Sequence, residues 1–242
     1  MAELKLGQFT VNMVDMIGKG GFGIVYGGKD TKTGKKIAVK MIRITTEQDG
    51  HDAMKEIKTF DRLTEHPNLI RLLDFHYMNR AFWMIMDFCD AGDLDNYVCK
   101  KNPDLAVTLK MMFQSACALA HMHESKPPMI HRDIKPANIL LFKQSDGKLI
   151  VKVSDFGLSK LANNSAATAL FTTVAGTPGF LAPEVFQKKP YTFSVDVFSL
   201  GLVFLAMIQH TKGAGHLFPR FGKIYSCSKL CYLYLSMLRF FL

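Results

Sequence analysis

Read for its alternation of apolar and polar positions, the chain divides at a polar break, Cys89-Asp90-Ala91-Gly92-Asp93. Ahead of the break the period is mostly two. Residues 9 to 44 alternate as strands do, with Ile24-Val25-Tyr26 entering a turn at Thr31-Lys32-Thr33-Gly34 and leaving along Lys36-Ile37-Ala38-Val39-Lys40-Met41-Ile42. From Asp52 to Leu63 the apolar positions 53, 54, 57, 60 and 63 keep a helical period, which predicts an amphipathic helix capped by Asp52. After His66-Pro67-Asn68 two more strands are expected, Leu69 to Phe75 and Phe82 to Phe88.

Beyond the break the long patterns are helical. Thr108 to His123, rich in Met, Ala and Leu, reads as a core helix. Val195 to Met207 is apolar nearly all round and carries Asp196 near its start; the run is too short to span a membrane and predicts a buried central helix. Between them lie a short loop entering a strand at residues 130 to 141 and a strand at Leu149 to Val153. A strand-rich first part and a helical second part make an α+β chain. The expected division is 1–88, 89–223 and an aromatic, apolar tail at 224–242.

Composition narrows the class. With 48% hydrophobic residues, 242 residues suffice for one large domain or two small lobes. The net charge of +9 implies a basic surface, but Lys and Arg are scattered, so a solvated surface around an anionic-nucleotide site is expected, without a nucleic-acid partner. Five cysteines (Cys89, Cys99, Cys117, Cys227, Cys231) are odd in number and lack metal-ligand spacing, which reads as free thiols in a reducing compartment. His121 and His123, two apart, face different sides of a helix and make poor metal ligands. No signal pattern opens the chain and no run of 18 apolar residues occurs, so a cytoplasmic or nuclear protein without a transmembrane segment is expected.

The chemistry concentrates in Ile130-His131-Arg132-Asp133-Ile134-Lys135-Pro136-Ala137-Asn138-Ile139. Asp133, Lys135 and Asn138 supply a carboxylate to orient a hydroxyl, a cation for a moving phosphoryl group and an amide to ligate Mg²⁺. Asp155, in Ser154-Asp155-Phe156-Gly157 at a strand end, can ligate the same metal. Upstream, Gly18-Lys19-Gly20-Gly21-Phe22-Gly23 is followed by a strand rather than a helix, so its glycines sit at a hairpin tip that can lie over a triphosphate. Lys40 closes an apolar strand and would point at the phosphates. Glu56, one turn before Phe60 on the predicted helix, would give Lys40 its counter-ion.

Together these residues resemble a eukaryotic protein kinase. The signatures are Gly18-x-Gly20-x-x-Gly23-x-Val25, Ile37-Ala38-Val39-Lys40, Glu56, the His131 to Asn138 loop, Asp155-Phe156-Gly157 and Ala182-Pro183-Glu184, spread over roughly residues 9 to 210. The resemblance implies a bilobal fold, with a small antiparallel-sheet lobe and a mainly helical lobe holding ATP and Mg²⁺. It makes Met86 the gatekeeper, sets the backbones of Asp87 and Cys89 against adenine, brings Asp93 toward the ribose, and packs Val25, Ala38, Ile139, Leu140 and Leu141 around the base. Phe60, Leu72, His131 and Phe156 would stack to align the lobes. Lys135, with Gly176-Thr177-Pro178, resembles the serine/threonine branch; Thr177 would hydrogen-bond near Asp133 and Lys135 and help dock substrate. Asp133 is then the catalytic base, with Lys135, Lys40 and Glu56 in support, and Asn138 and Asp155 hold the metal.

The implied function is ATP-dependent phosphorylation of serine or threonine hydroxyls on protein substrates. An upstream kinase is expected to act on Thr173, with Thr172, Thr168 and Ser165 as alternatives, because Arg132 needs an anionic partner. Beyond Met207 the resemblance fails: the further helices and the Arg that would pair with Glu184 are not recognisable, and Arg220 and Arg239 sit in no matching motif. The tail reads as a short helix covering core, a membrane-surface segment, or a product of alternative splicing or a faulty gene model, the last being favoured. A second function class therefore stays open, a kinase-like nucleotide-binding or regulatory module with little catalysis because its helical lobe is incomplete.

Overall fold

A computed structural model of the chain describes residues 3–20, 23–63, 66–161 and 171–212. It divides into two compact units. One holds the chain up to Ala91 together with Leu141–Gly157; the other holds Gly92–Leu140 and the described residues from Leu158 onward. The polar break thus falls at Ala91 and Gly92, three residues later than expected, and the segment 141–157 belongs with the first unit although it was assigned to the second. The reason is hydrogen bonding no local pattern reveals. Ile70 N–H donates to Val153 O at 2.9 Å, Val153 N–H to Asn68 O at 2.8 Å, and Ala91 N–H to Leu141 O at 3.0 Å.

The first unit is a six-stranded antiparallel sheet: β1 (Glu3–Leu6), β2 (Phe9–Gly20), β3 (Gly23–Asp30), β4 (Lys36–Arg43), β5 (Leu72–Met78) and β6 (Ala81–Asp87), in the order β1-β2-β3-β4-β6-β5. Period-two alternation puts Ile37 and Val39 of β4 on one face, in a core with Phe9, Val11, Tyr26, Trp83 and Ile85, and leaves Ala38 and Lys40 on the other. From Ala81 to Met86, β6 is buried at every position, as befits an inner strand covered on both faces. The β3–β4 turn is held by Asp30, whose carboxylate accepts from Lys32 N–H at 2.9 Å and from the Thr33 hydroxyl at 2.7 Å. Its acidity rises accordingly, the Thr33 hydrogen bond holding the Asp30 pKa below the usual carboxylate value.

Helix α1 runs Glu47–Leu63, starting five residues before the expected Asp52. The overlooked signal is a capping box: Thr46 Oγ1 accepts from Asp49 N–H at 3.1 Å, while Asp49 accepts from the N–H groups of Thr45 and Thr46 at 2.8 Å each. A further bond from the Thr45 hydroxyl, foremost, and these N–H bonds bring the half-buried Asp49 carboxyl down to about 2. Strand β5 also begins later than expected, because Leu69 bridges to Val153 instead of joining the ladder.

In the second unit Asp93 and Asp104 cap α2 (Leu94–Lys101) and α3 (Leu105–Glu124) by accepting from Asn96 N–H at 2.8 Å and Val107 N–H at 2.9 Å. Strand β7 (Met129–Ile130) leads to the loop at 131–138, whose last residues form a short 3₁₀ turn, Pro136–Asn138. Strand β8 (Ile139–Lys143), which runs on into the chain of the first unit, and β9 (Leu149–Val153) of the first unit form a two-stranded sheet, while β10 (Lys160–Leu161) pairs with β7 in the second. After α4 (Pro183–Phe186), the central helix α5 (Ser194–Gln209) buries Val195, Leu200, Val203, Leu205, Met207 and Ile208. Ile130, Phe171, Ala182, Val185, Tyr191, Phe193 and Val195 form a core around its start. Among the described residues one helix, α3, is long and apolar enough to cross a membrane by length and composition. In this unit it buries Met111, Met112, Ala118, Leu119 and Met122.

Candidate functional site

In the first unit the site residues are set by the sheet. Lys40 projects from β4 on the face opposite the Trp83 core and is 6% exposed, so its ammonium requires a partner. Asp155 provides one at 3.0 Å from 115 residues away. Asp155 itself has φ +65°, a left-handed conformation uncommon outside glycine and asparagine. Its carboxylate is about a third exposed, and one oxygen is engaged by Lys40, which leaves the other for a cation. Glu56 lies on α1, but its side chain and that of Phe60 fall outside the described set, as do Gly21 and Phe22.

Strands β2 and β3 pair to the very end of the hairpin, Gly18 with Val25, Lys19 with Ile24 and Gly20 with Gly23. A Cβ built on Gly23, at φ +130°, would lie 2.3 Å from Met41 O, so this glycine is demanded by the fold. A Cβ on Gly18 or Gly20 would meet nothing within 4 Å. These two glycines leave open space that packing within the chain does not require. Val25 and Ala38 are half-buried, and Met86 is buried in β6 opposite Ala38. Asp87 turns its carboxylate toward Arg71 and Lys152, while its N–H donates to Arg71 O at 3.1 Å. Cys89 is half-buried, and burial pushes its thiol up to about 12.

In the second unit the loop at 131–138 brings the three expected polar residues together. Asp133 is 5% exposed. Its Oδ1 accepts from the Thr177 hydroxyl at 2.6 Å; its Oδ2 lies 2.9 Å from Lys135 Nζ and accepts from Asn138 Nδ2 at 2.9 Å. Lys135 Nζ also donates to Thr177 Oγ1 at 2.7 Å, closing a ring of three side chains. Burial alone would raise the Asp133 pKa, but the hydrogen bonds from Thr177, Lys135 and Asn138, with the Lys135 charge, outweigh it and hold the carboxyl below its ordinary value. Asn138 spends its amide nitrogen on Asp133, so Oδ1 is the atom it can offer a metal.

The loop's shape depends on a residue to which its sequence position gave no role. Asp196, fully buried in α5, accepts from His131 N–H at 2.7 Å and from Arg132 N–H at 2.8 Å, and lies 2.9 Å from His123 Nε2. Arg132 has φ +68°, a strained conformation of the kind that persists where surrounding contacts fix it. The signal was present: a carboxylate in an otherwise apolar helix must have buried donors. Gly176, at φ +124°, comes so close that a Cβ there would sit 2.6 Å from Arg132 O.

Arg132 is already paired. Its Nε donates to Leu158 O at 2.6 Å and its Nη1 to the Thr173 hydroxyl at 2.7 Å, while the Tyr191 hydroxyl donates to Thr173 O at 2.6 Å. These partners of Arg132 are neutral oxygens, where an anionic one was expected. Thr173 and Thr172 are exposed, whereas Ser165 and Thr168 lie outside the described residues, as do Arg220, Arg239 and the whole segment 213–242. Asp93, expected near a ribose, uses both carboxylate oxygens on Asn96, at 2.8 and 2.7 Å. Leu140 is half-buried and bridges to Asp93.

The profile of the protein kinase domain matches residues 11–215. The chain belongs to the protein kinase family. Among its relatives, L-type lectin-domain containing receptor kinase V.5 of Arabidopsis thaliana is 36% identical over 198 residues, covering 80% of this chain and 29% of that protein. PR5-like receptor kinase of the same plant is 34% identical over 208 residues, 83% of this chain and 30% of the relative. The serine/threonine-protein kinase zyg-1 of Caenorhabditis briggsae is 33% identical over 200 residues, 82% of this chain and 27% of the relative. The kinase domain described here thus spans less than a third of these relatives' length.

Proposed function

We propose that this kinase domain transfers the γ-phosphoryl group of ATP to serine or threonine hydroxyls of protein substrates, with Asp133 as the base. The observation that carries the reading is the ring of Asp133, Lys135 and Thr177, with Asn138 beside it. The substrate hydroxyl oxygen bonds to the γ-phosphorus, the bond from that phosphorus to the bridging oxygen breaks, ADP leaves, and the hydroxyl proton goes to Asp133. Because its hydrogen bonds keep Asp133 a weak base, its chief work is to orient the hydroxyl, with proton transfer late. Lys135 places positive charge where the moving phosphoryl group is negative. Thr177 fixes both side chains and borders the place where the substrate would dock.

Lys40 would hold the α- and β-phosphates and Glu56 would hold Lys40. The two open positions at Gly18 and Gly20, with Lys19, Gly21, Phe22 and Gly23, would let the hairpin lie over the phosphates. Adenine would rest against Val25, Ala38, Met86 and Leu140, meet the backbones of Asp87 and Cys89, and place its ribose toward Asp93. Among the described residues no cluster of three or more His, Cys, Asp or Glu could cage a metal. One amide and one carboxylate, Asn138 and Asp155, suit Mg²⁺, which is bound by few protein oxygens together with phosphates. Held by these residues, Mg²⁺ would neutralise phosphate charge.

Phosphorylation of Thr173 by an upstream kinase would replace a hydroxyl on Arg132 by a dianion and tighten a contact that already exists. The free thiols of Cys89, Cys99 and Cys117 support a reducing, cytoplasmic setting. The test is purified chain with Mg²⁺, labelled ATP and a mixed protein substrate, followed by phosphoamino-acid analysis. Label on serine or threonine that disappears in Asp133→Asn supports the reading. Transfer by Asp133→Asn at the parent rate overturns it.

A further inference from the structure

A groove of about 360 Å³ opens on the first unit, built from four stretches of chain, His66 to Arg71, Asp87, Phe142 and Ile150 to Lys152, and lined by neither Lys40 nor Asp155. Its apolar walls are Pro67, Phe142 and Ile150. Its polar lining is a charge cluster centred on Asp87, which meets Arg71 Nη2 at 3.1 Å and Lys152 Nζ at 3.5 Å. Two cations against one carboxylate leave the lining with a formal charge of +1, and His66 stands on the same rim.

The two cations differ in what they have left to offer. Lys152 is 13% exposed and also donates to Leu69 O at 3.2 Å, so it anchors Asp87 and closes the floor. Arg71 is 57% exposed and gives Asp87 a single N–H at 3.1 Å. Its remaining donors have no partner among the described residues, and a guanidinium fork matches one carboxylate two bonds at a time. A dianion suits the groove less well, because it would meet the fixed negative charge of Asp87. Apolar walls flanking one available cation call for aliphatic side chains flanking one acidic side chain.

We propose that this groove is a docking site for an extended segment of a partner protein that presents a single Asp or Glu between aliphatic side chains. The acid pairs with Arg71 and the aliphatic groups rest on Pro67, Phe142 and Ile150. The proposal stands on the groove alone and holds whether or not the chain catalyses transfer.

The test titrates the full chain with a fluorescently labelled heptapeptide, Gly-Leu-Leu-Glu-Leu-Leu-Gly, and follows polarisation. Binding with a dissociation constant on the order of 10–100 μM is expected, weakening as salt rises. Arg71→Glu should lose at least tenfold in affinity for this peptide and gain affinity for the version with Lys in place of Glu. Arg71→Gln, which removes the charge without reversing it, should lose affinity for the acidic peptide and gain none for the basic one. Melting curves of both variants establish that they are folded, and Arg71→Gln alone decides the matter if Arg71→Glu is not. Equal binding of the acidic peptide by parent and Arg71→Gln, no binding at millimolar peptide, or tighter binding of a phosphoserine version than of the glutamate version would each overturn the proposal.

Discussion

The two units hold their charged residues in opposite ways. In the first, Lys40 stands on a strand whose alternation fixes its direction, and Asp155 meets it across 115 residues of chain. In the second, Asp133, Lys135 and Asn138 come from six consecutive residues, yet the loop bearing them is strained at Arg132 and is clamped by Asp196 from α5. A regular strand can aim a side chain with no help beyond its ladder, so that only the partner must come from afar. An irregular loop has its partners close by, and it is the backbone that must be held from afar.

The sharpest way to break this contrast is at one charged residue of each unit, Asp133 of the second and Lys40 of the first. Asp133→Asn should lower kcat by roughly 10²–10⁴-fold, the range for a lost general base, while nucleotide affinity measured by titration stays within about twofold. Lys40→Met should instead weaken nucleotide binding along with kcat; if it altered kcat alone, the assignment of Lys40 to the phosphates would be wrong.

Asp196→Ala tests the clamp. It strands the N–H groups of His131 and Arg132, each at a cost of about 1–3 kcal/mol if buried without a partner, and should lower the melting temperature and activity together. A variant that melted like the parent would show that the loop holds its own shape. Gly176→Ala sharpens the same point with less disruption. A Cβ 2.6 Å from Arg132 O at φ +124° must displace the loop, at about 1–3 kcal/mol, and kcat should fall more than KM changes.

Titration distinguishes the units more gently. The Asp133 carboxyl is held below its unfolded-state value, so its hydrogen bonds contribute stability that is fully present above the unfolded pKa and is lost as pH falls through the folded one. The stability difference between the parent and Asp133→Asn should be flat near neutrality and shrink only on acidification, as followed by urea titration at several pH values. In the first unit Cys89, pushed up to about 12 by burial, should remain a thiol at pH 8 and react with iodoacetamide after the exposed Cys99, as read by peptide mass spectrometry.

Local pattern made the strands around Lys40, the long helices and the Asp133-x-Lys135-x-x-Asn138 set legible, because each depends on residues a few positions apart: a period of two, a period of 3.6, a loop of six. The protein kinase signatures were legible for the same reason, as short strings in order along the chain. The start of α1 was written in Thr46 and Asp49 and was overlooked in favour of Asp52, a misreading of local chemistry.

Other features are not local at all. That Asp155 meets Lys40, that Asp196 receives the N–H groups of His131 and Arg132, that Thr173 already rests on Arg132, and that residues 141–157 pack with the first unit are pairings across 41 to 115 positions or returns of the chain to an earlier partner. The sequence by itself determined which residues carry charge and which local structures present them. Only the tertiary structure decided which charges meet, because a buried polar group takes whichever partner the packed chain brings within hydrogen-bond reach, and packing is a property of the whole unit.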